Sequence, residues 1–236
     1  MPAQAAMSRK RGRRSGVRSN EAGHETRERL LDAAERLFAE RGLDAVSVRD
    51  ITEEAGANTA SIHYHFGSKL DLIAATLRRR ADGLGARRDE LLDEVEARED
   101  VDLRSVVEAL VRPTAELAAS SEGGRHYVAF LAALGNHAEL VPVLFELFDP
   151  YTERFLKVLA RATPELPDDV RLMRFAVSKE LINRVLGQPD GQVRWWLEQR
   201  QPGAARFIVD RMMDLLVGVF QAPVSTPRYA DLDIAP

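Results

Sequence analysis

His63, Tyr64, His65 and Phe66 stand side by side in the stretch NTASIHYHFGSKLDL, in a chain with five histidines and no cysteine. Imidazoles can ligate a metal, move a proton or hydrogen-bond to a polymer. The H-x-H spacing does not suit the first. On a helix, residues two apart diverge by about 200° around the axis, so one ion needs an i, i+4 pair. Thiolate is absent, and the nearest acid in sequence is Asp71. Proton transfer or nucleophilic attack needs a positioned set of partners. Ser61 and Ser68 are near, but no G-x-S-x-G elbow surrounds them and local helix geometry accounts for both. No metal, cofactor or catalytic residue is therefore assigned. A polymer surface remains. A short helix after a tight turn, with small residues Thr59, Ala60 and Ser61 at its start and aromatic or basic groups at its end, can enter a DNA major groove about 12 Å wide. Tyr64 and His65 can reach phosphate, and Lys69 adds a cation at the start of the next helix. Ile62 and Phe66 are expected to pack the head instead.

The flanking pattern supplies the elements that would hold such a helix. Leu30, Leu31, Ala34, Leu37 and Phe38 recur at i, i+1, i+4, i+7 and i+8, which predicts an amphipathic helix from Thr26 to a stop at Gly42. Ser47-Val-Arg-Asp50 reads as a capping box for a second helix. Gly56-Ala-Asn58 makes a turn, with Asn58 suited to cap a third helix over 59–65. Ser68-Lys-Leu-Asp71 repeats the capping spacing before a fourth helix, whose Leu70, Ile73, Leu77, Leu84, Leu91 and Val95 run to about Arg98. Gly83 and Gly85 inside it suggest a kink or break, a possible hinge.

With 236 residues and 45% hydrophobic content the chain can fill a sizeable core. No apolar run reaches the roughly 18 residues that span a bilayer, and the N-terminus lacks a secretory core, so a cytoplasmic location without membrane association is expected. The net charge of −4 is uneven: residues 1–80 carry +4 and the rest −8. The N-terminal third is the part suited to a polyanion. Residues 1–23, with Arg9, Lys10, Arg11, Arg13, Arg14 and Arg18 among Gly, Ser and Ala, read as a disordered basic arm. Beyond Asp100 the apolar periods are all helical: 103 onward with a bend at Pro113, 124–135, 142–161, 167–187 and 203–220. Residues 222–236, with three prolines, read as a loose tail. The fold class is all-α: a three-helix helix-turn-helix head over 24–70, then a larger helical body over 71–221.

Three motifs, L-L-D-A-A-E-R-L-F-A-E-R-G, S-V-R-D-I-T-E-E-A-G-A-N and H-Y-H-F-G-S-K, resemble the DNA-binding head of the TetR family of transcriptional regulators over nearly 50 residues. The resemblance implies a homodimer on a palindromic double-stranded DNA operator, a body that binds a small-molecule effector, and repression as the default. It places Thr26, Ser47, His65 and Lys69 at backbone phosphate, and Thr59, Ala60, Ser61, His63 and Tyr64 in the groove. Many members carry tyrosine where His63 stands. More loosely, N-T-A-S-I-H-Y-H-F-G-S-K with R-R-R-A-D-G-L and G-G-R-H-Y is similar to the PsrA-type branch, some of whose members respond to fatty acids or their derivatives.

In the body the resemblance assigns dimerisation to the last two long helices. The apolar faces there hold Ala176, Val177, Leu181 and Val185 on one and Phe207, Arg211, Met212 and Leu215 on the other; ordinary core would draw on the same residues. Candidates to line a ligand pocket are Tyr127, Phe130, Leu134, His137, Leu144, Phe145 and Phe148, with Arg174 and Arg184 as carboxylate anchors. A Phe stripe at helical spacing equally fits core. Trp195 and Trp196, after P-D-G in an expected loop, could cover a pocket mouth or lie against the body. Two rival functions are an architectural DNA binder without effector and a helical-bundle enzyme using His126, Tyr127 and Arg184. The uneven charge argues against the first, and the capped helix-turn-helix against the second.

Overall fold

The computed structural model describes residues 3–134, 137–188 and 191–225, with side chains from residue 21 onward except that of 138. Ten α-helices and no strand occur among the described residues: α1 Ala3–Arg41, α2 Val48–Glu54, α3 Thr59–His65, α4 Lys69–Glu96, α5 Leu103–Ser120, α6 Glu122–Ala133, α7 Val141–Ala162, α8 Asp168–Gly187, α9 Gln192–Arg200 and α10 Ile208–Gln221. The chain forms two compact units, Met1–Leu84 with Leu117–Leu147, and Gly85–Glu116 with Phe148–Pro236.

In the first unit the stripe predicted for α1 is the core: Leu30, Leu31, Ala34, Leu37 and Phe38 are all buried. α1, α2 and α3 pack on one another. Gly42 ends α1, its N–H bonded to Phe38 O at 3.0 Å. Both halves of the Ser47 capping box form, and Asn58 caps α3 by accepting from the Ser61 N–H at 3.0 Å. The turn between α2 and α3 depends on Gly56, whose φ of 58° lies in the left-handed region that side-chain-bearing residues avoid.

The first unit takes in Leu117–Leu147 as well as the head helices. α6 packs against α1, stacking Phe130 on Phe38 with centroids 5.6 Å apart. The Tyr127 hydroxyl donates to Leu77 O at 2.7 Å. Arg80 donates from Nε and Nη2 to the two oxygens of Glu35, both at 3.0 Å. A helix more than 80 residues downstream thus completes the core that α1–α3 begin. The tight junction entering α6 relies on Gly124, where a Cβ would lie 2.0 Å from Leu117 O.

At the N-terminus, α1 takes in most of the segment read as a disordered basic arm. The physical reason is propensity: Ala, Arg, Lys, Met and Glu are strong helix formers, and no proline follows Pro2 before the helix ends. Residues 226–236 of the expected tail lie outside the described residues.

In the second unit ion pairs and carbonyl caps tie helices together. Arg154 of α7 pairs with Asp89, Asp93 and Glu96 of α4. Buried Arg171 donates to Thr163 O and Leu166 O, fixing the α7–α8 loop. The segment carrying Trp195 and Trp196 is the helix α9 and not a loop: no proline interrupts Gln192–Arg200, and Gln, Leu, Glu and Arg favour helix.

α4 is an unbroken helix through Gly83 and Gly85. The two glycines differ in kind. A Cβ at Gly83 would meet nothing within 4 Å, whereas one at Gly85 would sit 2.0 Å from Tyr151 Oη. Gly85 is where a tyrosine ring approaches the helix backbone. Gly83→Ala should therefore raise stability by about 0.5–1 kcal/mol through helix propensity, while Gly85→Ala should lower it by displacing the ring. Equal melting temperatures for the two variants would contradict the close approach.

Candidate nucleic-acid interface

The α2–turn–α3 unit sorts its side chains by face. Ile62 is fully buried, while Thr59, Ala60, His63 and Tyr64 are exposed, Tyr64 at 83%. Ala60, His63 and Tyr64 are spaced i, i+3, i+4, so they form one outward stripe. His65 and Phe66 are half-buried. The His65 ring meets Tyr64 edge-on at 4.8 Å, and the Arg27 guanidinium lies 5.3 Å from the Phe66 centroid.

His63 is held in a defined state. Its Nδ1 lies 2.9 Å from Gly67 O. A carbonyl only accepts, so Nδ1 carries the proton, and in the neutral ring Nε2 is left as an acceptor. Gly67, at φ 89°, supplies the reversed backbone that brings this carbonyl back over the end of α3.

The predicted phosphate contacts have local partners. The Ser47 hydroxyl is 2.5 Å from Asp50 Oδ2 and accepts from the Asp50 N–H at 3.1 Å, while the Ser47 N–H donates to the same carboxylate at 2.8 Å. These bonds to the Ser47 hydroxyl and N–H hold the Asp50 carboxyl below its ordinary range. The carboxylate half of the box is thus in place at neutral pH and weakens only as acid protonates Asp50. Thr26 Oγ1 donates to Ala22 O at 2.9 Å. Lys69 Nζ donates to Leu43 O at 2.6 Å, tying the start of α4 to the α1–α2 loop; an ammonium has two further donors. Ser61 Oγ donates to Asn58 Oδ1 at 3.0 Å.

The candidate ligand residues are divided between the two units. Tyr127, Phe130 and Leu134 are buried in the first unit, in the core that joins α6 to the head. His137 in that unit is 3.3 Å from Glu139 and 3.9 Å from Asp44. Phe145 is exposed at 64%. Phe148, Arg174 and Arg184 belong to the second unit. Arg174 Nη1 donates to Phe220 O at 3.1 Å and Ala222 O at 2.8 Å, closing the end of α10, and Arg184 is exposed. Tyr127 and Phe130 were ambiguous because a buried ring and a cavity-lining ring have the same helical period.

Of the candidate dimer residues, Ala176, Val177, Phe207, Arg211 and Leu215 are exposed and Leu181 is half-buried. Val185 and Met212 are buried within the chain. Leu172 and Met173, not singled out in the sequence, add exposed apolar surface to α8.

Two pairs of residues went unread. Glu35 lies four residues after Leu31 and three before Phe38, a carboxylate on an apolar stripe, which signals a buried partner; that partner is Arg80. Lys179 lies four residues after Phe175 and three before Ile182, the same signal on α8, and the neighbour its ammonium meets is the Phe175 ring, 5.5 Å from its centroid.

Residues 30–76 match the family model described as bacterial regulatory proteins, tetR family, and residues 108–218 match the tetracyclin repressor-like C-terminal domain. The HTH-type transcriptional repressor KstR2 of Rhodococcus jostii is 39% identical over 98 residues, 42% of this chain and 45% of that one. The HTH-type transcriptional regulator TtgR of Pseudomonas putida is 36% identical over 85 residues, 36% of this chain and 39% of that one. The chain thus spans less than half the length of these curated relatives. The fold is shared with a TetR-like transcriptional regulator from Rhodococcus sp. RHA1, at a TM-score of 0.57 and 19% identity over 83% of this chain and 93% of that one. It is also shared with the fatty acid degradation regulator FadR from Bacillus halodurans, at a TM-score of 0.53 and 18% identity over 82% and 95%. With both family models matched in order along an all-helical chain, this protein belongs to the TetR family of transcriptional regulators.

Proposed function

We propose that the chain is a cytoplasmic DNA-binding repressor that sits on a palindromic operator as a homodimer and is released by a small, largely apolar effector. The observation that carries this reading is the outward stripe of Ala60, His63 and Tyr64 on a capped seven-residue helix whose opposite side buries Ile62. Thr59 and Ser61 at the start of α3 keep that end small enough for close approach to base edges. Thr26, Ser47, His65 and Lys69 flank the stripe as phosphate contacts, with Ser47 and Lys69 also holding the head together. Residues 24–70 act as the DNA-binding head and 71–221 as the effector and dimerisation body.

The dimer reading is supported by exposed Leu172, Met173, Val177 and Leu215 on α8 and α10 and by Phe207 just before α10. A second copy would cover this apolar surface. Sedimentation equilibrium giving a monomer at micromolar concentration would reject it. Release requires that the effector bind the DNA-bound and free forms with different affinity.

Selection of bound fragments from random DNA, repeated at several salt concentrations, tests the function. The expected product is one palindrome with half-sites about one helical turn apart. A steep salt slope with no preferred sequence would point to an architectural binder. His63 is the informative substitution within this assay. Its outward Nε2 can accept from an adenine or cytosine amino group, so His63→Ala should lower affinity for the selected site by about 1–3 kcal/mol and relax preference at one base pair per half-site. Equal loss on every operator variant would reduce His63 to a positioning contact.

A further inference from the structure

Large apolar side chains stand in the open on α9. None of its nine residues is buried, and Val193, Trp195 and Trp196 are 47%, 54% and 45% exposed. A helix this short is not stable alone and here has no buried face to hold it. What fixes it is polar. Gly203, at φ 81°, reverses the chain, and the Glu198 carboxylate accepts from the N–H groups of Gly203 and Ala205 at 2.8 and 3.0 Å. The two indole rings meet edge-on with centroids 5.1 Å apart, and the Arg200 guanidinium lies 5.1 Å from the Trp196 centroid. α9 is thus held in place while its largest apolar groups stay half in water. An exposed apolar patch of Trp and Arg has the composition of an interface centre.

The patch adjoins the surface assigned above to a second copy. The 3-10 turn Ala204–Phe207 packs against both α9 and α10, and α10 packs on α8. Phe207, 44% exposed, therefore links the tryptophans to the α8–α10 face. A stable interface takes roughly 800 Å² from each partner. Phe207 with Leu172, Met173, Val177 and Leu215, each about half exposed, offers on the order of 100 Å² per side chain and falls short of that. Val193 and the two indoles add on the order of 300 Å² and bring the total close to it. A two-fold contact uses the patch of both copies, so the same gain is made on each side.

We propose that α9 is a docking element for a second copy of this chain, with Trp195 and Trp196 buried against the partner as an extension of the α8–α10 contact. This inference rests on the dimer reading above and adds to it a short helix outside the two long ones.

Trp195 and Trp196 are the two tryptophans of the chain, so tryptophan emission reports on α9 alone. Emission and acrylamide quenching of the full chain, followed beside sedimentation over a dilution series, test the proposal. Leu215→Asp, which weakens the α8–α10 contact, supplies the monomer where dilution does not. From monomer to dimer the emission should shift to the blue and quenching should fall several-fold, with the midpoint seen in sedimentation. Trp195→Ala combined with Trp196→Ala should raise the dimer Kd at least tenfold at unchanged helix content by circular dichroism. A dimer whose tryptophans quench as freely as the monomer's, or a double variant with unchanged Kd, overturns the proposal and leaves the dimer standing. A chain that stays monomeric at every concentration rejects the dimer reading itself. A blue shift that requires phosphatidylglycerol vesicles and not a second copy would assign α9 to a lipid surface and overturn the proposal.

Discussion

Phe130→Ala is expected to lower the unfolding free energy by about 3–5 kcal/mol, the range for removing a fully buried phenyl ring. Phe130 is 0% exposed, stacks on Phe38 and lies 6.3 Å from the Tyr127 centroid in an edge-on arrangement. Its loss opens a cavity between α1 and α6 that close-packed neighbours cannot fill. Chemical denaturation measures the cost, and Phe145→Ala, at a 64% exposed ring of the same unit, is the internal reference. That substitution should stay within about 0.5 kcal/mol. A loss at Phe130 as small as at Phe145 would mean that Phe130 borders open space and lines a pocket after all.

Glu35→Ala should cost nearly as much by a different route. The Glu35 side chain is 2% exposed and accepts two hydrogen bonds from Arg80, whose side chain is 26% exposed. Deleting one member of a buried pair costs about 3–5 kcal/mol when the survivor stays dry. Arg80 can partly reach solvent, so about 2–3 kcal/mol is expected here. Gly123 confines the guanidinium, since a Cβ there would lie 2.5 Å from Arg80 Nη2. Replacing both partners, as Glu35→Leu with Arg80→Met, should recover much of the loss, because no charge is then left unpaired. A double-mutant cycle reads the coupling directly. Strict additivity would show the pair to be independent, contrary to the geometry.

Both experiments probe the same junction, and the junction matters for the proposed function. α6 is far from the head in sequence, yet Tyr127, Phe130 and the Glu35–Arg80 pair make it part of the packed layer behind α1. The proposed recognition helix, α3, is too short to be stable alone. Its orientation is inherited from α1, so anything that loosens α6 should also weaken operator binding.

Local rules written in consecutive residues were legible in the sequence. The α1 stripe, the Ser47–Asp50 box, the Asn58 cap and the left-handed glycines each depend on neighbours within about four positions. The three head helices followed from them. α5, α7, α8 and α10 were likewise announced by apolar period. The extent of the helix through the basic segment and the helical state of Gln192–Arg200 were missed, because neither carries an apolar stripe to announce it.

Pairings between distant residues were decided only by the tertiary structure. A Phe at helical spacing is equally good core or pocket wall, and the choice for Tyr127 and Phe130 was made by α1 lying against them. The Lys69 side chain looked free for phosphate until the Leu43 carbonyl came within hydrogen-bond reach. Gly85 looked like a hinge until Tyr151, 66 residues away in the chain, met its backbone. Lys179 was one charge among many until the Phe148 and Phe175 rings met its ammonium. Helix formation is governed by short-range sterics and hydrogen bonding, whereas burial and charge environment depend on which helices meet, and that is a property of the whole chain.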